Sequence, residues 1–225
     1  YLLSYKARYG VKSGPLDLQD HMLLDGLTDV FNRIHMGLTA EALVEEFGIS
    51  REEQDEFAYN SQIKAKAAIQ SGRFADEITP VEIPDKKGVK IFDTDEHPRF
   101  DVTMESLAKL RPAFKQNGTV TAGNASGIND GGSALVIASD RYVERKNLKP
   151  LARIVAWAQA GVEPIRMGFG PVPATEKVLK KAGLSFQDIE LIELNEAFAG
   201  QSLAVIKGWE KAFGVSKEWI MQRTN

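Results

Sequence analysis

The sequence predicts an α/β protein in which an irregular α+β region precedes a more regular strand–helix alternation. Three observations carry this expectation. Ser133–Ser139 and Leu151–Ala158 are short apolar runs of the kind that form strands buried on both faces. Beyond Pro150, such runs alternate with helix-like segments. Before it, capped helices and turn-rich stretches follow one another without regular alternation, so Pro150 is the expected boundary.

Residues 1–38 are broken up by Gly10, Gly14-Pro15 and Gly26. Thr39–Phe47 reads as a short helix, with Thr39 as N-cap and Gly48 as its stop. Ser50-Arg51-Glu52-Glu53 is a capping box, in which hydroxyl and carboxylate each satisfy a free backbone N–H, and the helix it opens runs to Gly72. Its thin apolar stripe of Phe57, Ala58, Ala65, Ala68 and Ile69 suits close packing on another element. Thr79–Pro84 and Val89–Phe92 read as short strands around a Lys-Lys-Gly turn. A helical stretch runs from Ser106 to Leu110, and Gly118–Gly127 is a tightly turned, small-residue segment. Thr175–Lys181 is a helix stopped at Gly183. Ile189–Leu194 alternates with period two, as a strand does, and Asn195–Ala199 turns it into a helix reaching about Lys207.

Composition narrows the function classes. Of the 225 residues, 43% are hydrophobic and 26% charged, the balance of a soluble folded protein. The net charge of -3 carries no basic excess, so nucleic acid is not an expected partner. No apolar run is long enough to span a membrane, and no signal peptide opens the chain. There is no cysteine, which removes disulfides, thiolate metal ligands and a cysteine nucleophile from these residues. The three histidines, His21, His35 and His97, lack metal-ligand spacing, so no metal site is expected. A cytoplasmic location fits this composition.

Several segments could carry chemistry. Asn195 follows a strand and precedes a helix, the place where ligands gather in open α/β sheets. Its carboxamide reads either as a plain N-cap or as a hydrogen-bond donor to an oxyanion. The glycines of Thr121–Gly132 let backbone approach a ligand, or simply punctuate turns. His35-Met36 reads as packing or as part of a site, and the Gly/Pro-rich Met167–Thr175 as a connection. Arg99, Lys109, Arg111 and Lys115 form either a solvated face or an anion site.

Taken in order, His35-Met36-Gly37-x-Thr39-Ala40-Glu41, Ser50–Asp55, Gly72-Arg73-Phe74, Leu110-Arg111-Pro112-Ala113-Phe114, Gly118–Gly127, Met167-Gly168-x-Gly170-Pro171-Val172-Pro173-Ala174 and Asn195-Glu196-Ala197-Phe198-Ala199 resemble successive signatures of the thiolase family across essentially the whole chain. That resemblance implies a thiolase-like fold: two βαβαβαββ core halves, here incomplete, with an inserted α+β loop domain. Residues 1–128 would be the loop domain that covers coenzyme A. Residues 129–150 would end the N-terminal core half, and 151–225 would begin the C-terminal half.

The resemblance also assigns roles. Asn195 would hold a water that helps bind the thioester oxyanion. Ser126 would contact the pantetheine arm, with Ala122 and Ala197 lining the same tunnel. Arg99 would lie by the adenine and phosphates, and Ser106 falls among the same coenzyme A contacts. Leu27, His35, Met36, Phe114, Met167 and Phe198 match other positions along the acyl-CoA channel. The implied activity is acyl-CoA C-acetyltransfer, making or cleaving a short 3-ketoacyl-CoA through an acyl-cysteine. Coenzyme A or acetyl-CoA would be substrate, with no tightly bound cofactor, and the protein would be a homodimer or homotetramer. The family's nucleophilic Cys, activating His and second Cys have no counterpart in this chain, which begins after the expected place of the first and ends before that of the others. A truncated enzyme portion, inactive alone, is therefore expected. The alternatives are a non-catalytic acyl-CoA-binding paralogue and a decarboxylating ketoacyl synthase, which should not carry the Asn-Glu-Ala-Phe block.

Overall fold

A computed structural model describes residues 2–4, 9–86 and 88–225. The Lys-Lys-Gly turn expected at 86–88 includes Lys87, which lies outside the described residues. Short antiparallel pairs join β1 (Leu2–Leu3) to β2 (Gln19–Asp20) and β3 (Thr28–Asp29) to β4 (Ile34–His35). Then come α1 (Met36–Phe47) and α2 (Arg51–Gln70), the hairpin of β5 (Val81–Asp85) and β6 (Gly88–Phe92), and α3 (Met104–Ala108). The last part holds α4 (Asp140–Lys146), α5 (Pro171–Ala182), α6 (Ala199–Phe213) and α7 (Lys217–Met221).

The core forms where α1, α2, α5 and α6 meet. Leu43, Val44, Ile49, Phe57, Val172 and Leu179 pack around Leu203, Val205 and Ile206. Helix α6 is buried from Ala199 to Ile206 and again at Gly208 and Trp209, as expected of a helix surrounded by other elements. Two glycines permit this. A β-carbon at Gly200 would run into Val44, and one at Gly208 would stand 2.6 Å from Val172 Cγ2 and 2.7 Å from Phe169 Cε2.

Several expected elements hold. The Ser50 capping box is complete: Ser50 Oγ accepts from Glu53 N, and Glu53 Oε2 accepts from Ser50 N. The hairpin forms in the expected place. Others differ. Helix α1 starts at Met36 rather than behind Thr39, because His35 Nδ1 accepts from Gly37 N at 3.0 Å and so caps it. Thr39 sits inside the first turn, its hydroxyl donating to Met36 O at 2.7 Å. Helix α3 begins before Ser106, capped by Thr103. Helix α5 begins at Pro171, whose fixed φ and missing N–H suit the first helical position.

The largest difference concerns the expected strands. Residues 133–139 and 151–158 form no ladder, and Ile189–Leu194 has a single parallel bridge, Ile192 to Thr224. Leu135, Val136 and Ile137 are 89%, 99% and 78% exposed. A strand is completed by neighbours on either side, and among the described residues these runs have none. Their apolar composition marks them for a sheet that these residues do not assemble.

Candidate functional site

The site is built from two turns that pair with each other. Ser126 N donates to Ala197 O at 3.0 Å, Ala125 and Phe198 form an antiparallel bridge, and Ala199 N donates to Asn124 O at 2.9 Å. This pairing explains a correction to the sequence reading. Asn195 does not sit where the helix starts, because Ala197 and Phe198 are held against the Asn124–Ser126 turn and α6 begins only at Ala199, with the extended Phe198 as N-cap. The amide groups at the helix start are therefore not beside Asn195.

A buried polar network fixes the Thr121–Ser126 turn. Asn124 is buried; its Oδ1 accepts from Thr121 N at 2.8 Å, and its Nδ2 donates to Asp55 Oδ1 at 2.9 Å and to Thr119 O at 3.1 Å. Asp55, also buried, is held by Arg51 Nε at 2.7 Å, and Arg51 reaches on to the carbonyls of Leu107 and Leu110. The preceding Gly118–Val120 segment is clamped by Glu41. Its buried carboxylate accepts from Thr119 N and Val120 N, each at 2.9 Å. Arg51, Asp55 and Glu41 lie in the blocks noted above, but nothing in their spacing announced that they support this turn.

These turns open onto a cleft of about 840 Å³ between α1, α5 and α6. Among the residues expected at the site, it gathers Leu27, Met36, Ser126, Met167, Asn195, Ala197 and Phe198. Ser126 and Asn195 are exposed, with their polar groups free to face a ligand, while Met36 and Phe198 are half-buried. Sequence reasoning missed Gln201 and Trp157, which also line it. Gln201 Nε2 donates to Gly168 O at 2.9 Å and so ties α6 to the 3-10 helix Pro164–Phe169.

His35 and Phe114 stand one layer behind. The His35 ring stacks on Phe114 at 4.6 Å, and Phe114 meets Phe198 edge-on at 6.0 Å. A β-carbon at Gly37 would overlap the Phe114 ring, so the Met36-Gly37 step needs glycine for this packing. The remaining expected residues are not brought to the cleft. Ala122 is exposed in its turn. Ser106 is engaged in the α3 cap: its hydroxyl accepts from Thr103 N at 3.0 Å and donates to Thr103 O at 2.7 Å. Arg99 is exposed, and its backbone N–H donates to Gln62 Oε1 at 2.8 Å. Of the basic residues from Arg99 to Lys115, Lys115 is paired with Glu45. That partner raises the Lys115 ammonium above its ordinary pKa.

Beside Asn195, the Glu196 carboxylate turns toward α2 and accepts from Ser61 Oγ at 2.5 Å. Burial pushes its carboxyl above the ordinary value, against the opposing pull of the Ser61 hydroxyl and the Lys64 charge. Among the described residues, no helix is long and apolar enough to cross a membrane.

Comparison with known proteins places this architecture. Residues 1–141 match the thiolase N-terminal domain, and residues 148–217 the thiolase C-terminal domain. An acetyl-CoA acetyltransferase of Pseudomonas aeruginosa is 54% identical over 209 residues, which are 92% of this chain and 53% of that protein. One from Syntrophomonas wolfei is 56% identical over 195 residues, 86% of this chain and 49% of that protein. The chain thus spans about half the length of the curated relatives it matches. Among solved structures, the Bacillus anthracis acetyl-CoA acetyltransferase aligns with a TM-score of 0.90 at 45% identity, covering 100% of this chain and 55% of that one. Human mitochondrial 3-ketoacyl-CoA thiolase in complex with CoA aligns at 0.85 and 44% identity, covering 99% of this chain and 53% of that one. With both thiolase domains matched in order and the fold shared with solved thiolases, the chain belongs to the thiolase family.

Proposed function

We propose that this chain is the coenzyme A cover and one oxyanion element of an acetyl-CoA acetyltransferase that makes or cleaves acetoacetyl-CoA or another short 3-ketoacyl-CoA. The observation that carries the reading is the shared cleft, in which Ser126 and Asn195 present polar groups beside Met36, Met167 and Phe198. A thioester needs such a combination. Its acyl and pantetheine carbons favour apolar walls, and its carbonyl oxygen needs a donor as negative charge builds on it. In this reading Asn195 serves the oxyanion through a held water, and Ser126 contacts the pantetheine arm. Ala197 and Ala122 line the arm's path, and Leu27, His35, Met36, Phe114, Met167 and Phe198 shape the acyl channel. Arg99 and Ser106 lie toward the nucleotide end. The nucleophilic and acid–base cysteines and the activating histidine belong to parts of the polypeptide outside these residues, which hold no cysteine.

Within that reading, residues 1–128 form the covering domain, 129–150 close the N-terminal core half and 151–225 open the C-terminal one. Coenzyme A and acetyl-CoA act as substrates, without a tightly bound cofactor. The working protein is a cytoplasmic homodimer or homotetramer. The enzyme names of the relatives favour this over a non-catalytic acyl-CoA-binding role.

The test uses a polypeptide that carries the flanking thiolase segments as well as these residues. It should cleave acetoacetyl-CoA in the presence of coenzyme A. Asn195→Ala should lower kcat about 100-fold with little change in KM, the signature of an interaction made in the transition state. The 225-residue chain alone should show no turnover. Turnover by that chain, or an Asn195→Ala enzyme with unchanged kcat, would overturn the reading.

A further inference from the structure

The Asn195 segment is anchored by backbone on both sides but not at its centre. Upstream, Ile192 N donates to Arg223 O at 2.7 Å and Asn225 N to Ile192 O at 2.9 Å. Downstream, Ala197 and Phe198 are held by the Asn124–Ser126 turn. Between these anchors two side chains reach out: Glu193 Oε2 accepts from Asn225 Nδ2 at 2.7 Å, and Glu196 accepts from Ser61 Oγ on α2. Glu196 and Ser61 line two smaller clefts, of about 300 Å³ and 370 Å³, along α2, and Asn195 borders the second of these as well as the large cleft. The Asn195-Glu196 step therefore forms a partition. Asn195 borders the clefts on both sides, and its neighbour Glu196 is pinned to α2.

We infer that Glu196 is a positioning residue, which through its hydrogen bond to Ser61 fixes the orientation of the Asn195 carboxamide toward the large cleft. Leu194 before this step is buried in the core, but the two α2-side clefts lie beside Glu196, so close packing does not hold that side of it. Asn195 and Glu196 share one peptide, so fixing one side chain limits how that peptide can turn. Holding Glu196 against α2 thus limits the directions in which Asn195 can leave the chain. The hydrogen bond to Ser61 carries a mechanical duty. Glu196 is partly desolvated, its carboxyl is shifted toward the neutral form, and the groups around it are Ser61 and Lys64 on α2 and Glu193 on its own segment. Lys64 itself donates to Thr224 O at 3.0 Å. An acceptor oxygen at this position is what the Ser61 hydroxyl requires.

This inference rests on the proposed role of Asn195 for its consequence in catalysis, but its structural core can be tested without turnover. The probe is the side-chain amide of Asn195 in the 15N-labelled chain, assigned by its loss in Asn195→Ala. Ser61→Ala and Glu196→Ala should move that resonance pair toward the averaged position of a mobile amide, while Val205 and Ile206 methyl shifts stay fixed. Glu196→Gln, which keeps an acceptor for the Ser61 hydroxyl, should keep the resonance. In the polypeptide with its flanking segments, Ser61→Ala and Glu196→Ala should each lower kcat about tenfold with KM within twofold, and Glu196→Gln should restore most of it. An Asn195 resonance unmoved by Glu196→Ala, or a Glu196→Gln variant matching Glu196→Ala, would overturn the positioning role. An inactive wild-type polypeptide, or a silent Asn195→Ala, would count against the thiolase reading instead, and the amide resonance would still decide the role of Glu196.

Discussion

Glu41 offers the sharpest test of how the site is held in place. Its side chain belongs to a residue only 3% exposed, yet it carries an acceptor-only carboxylate. The structure accounts for this with bonds from Thr119 N at 2.9 Å and 3.2 Å, Val120 N at 2.9 Å and Thr119 Oγ1 at 3.3 Å. Bonds to a charged acceptor contribute about 1.5–3 kcal/mol each, and an orphaned buried N–H costs about 1–3 kcal/mol. Glu41→Ala removes the acceptor from two backbone donors, so the loss should be about 3–5 kcal/mol. Glu41→Gln keeps one acceptor oxygen but turns an NH₂ toward a donor, for a loss of about 1.5–3 kcal/mol. Urea unfolding followed by far-UV circular dichroism measures both, with an unchanged m-value required for a clean comparison. A Glu41→Ala protein within about 0.5 kcal/mol of wild type, the range of ordinary surface substitutions, would refute the claim that this side chain clamps the turn.

Three further outcomes are expected. Gly208→Ala would add a β-carbon 2.6 Å from Val172 Cγ2 and 2.7 Å from Phe169 Cε2. The overpacking cost of about 1–3 kcal/mol should equal or exceed the roughly 1 kcal/mol gained in helix propensity, giving a lower thermal midpoint. Glu196 has a folded-state pKa above its ordinary 4.5, so the folded protein binds its proton more tightly than the unfolded chain does. Stability from this group is present below pH 4.5 and lost as pH rises through the folded value; Glu196→Gln should gain on wild type across that interval and match it at lower pH. Finally, Val136→Lys, at a position 99% exposed within an apolar run, should reduce concentration-dependent light scattering by the isolated chain without changing its thermal midpoint.

What the sequence disclosed depended on whether the cause was local. The Ser50 capping box and the β5–β6 hairpin are local events, settled by residues within a few positions of one another, and both form where expected. The start of α1 was misplaced because two local caps competed: Thr39 is a good N-cap by type, but the His35 ring took the position. The runs at 133–139 and 151–158 have strand composition, but a strand needs partners that composition does not supply. The site shows the same division. The Asn195 and Ser126 blocks could be picked out and do share a cleft, whereas Asp55, Glu41 and Ser61 act across long stretches of chain and left no sign in their spacing. Arg99 and Ser106 stand apart from the cleft: the α3 cap takes up Ser106 and Arg99 lies on an exposed stretch, and neither shows in side-chain type.

The bond from Ser126 N to Ala197 O joins main-chain atoms. It is therefore indifferent to which side chains stand on the two turns. Met36 and Met167 can be exchanged for larger or smaller residues, reshaping the wall of the cleft, while the backbones of Ser126 and Ala197 stay paired. A cleft built this way can change the shape it offers without losing the spacing of the two turns that frame it.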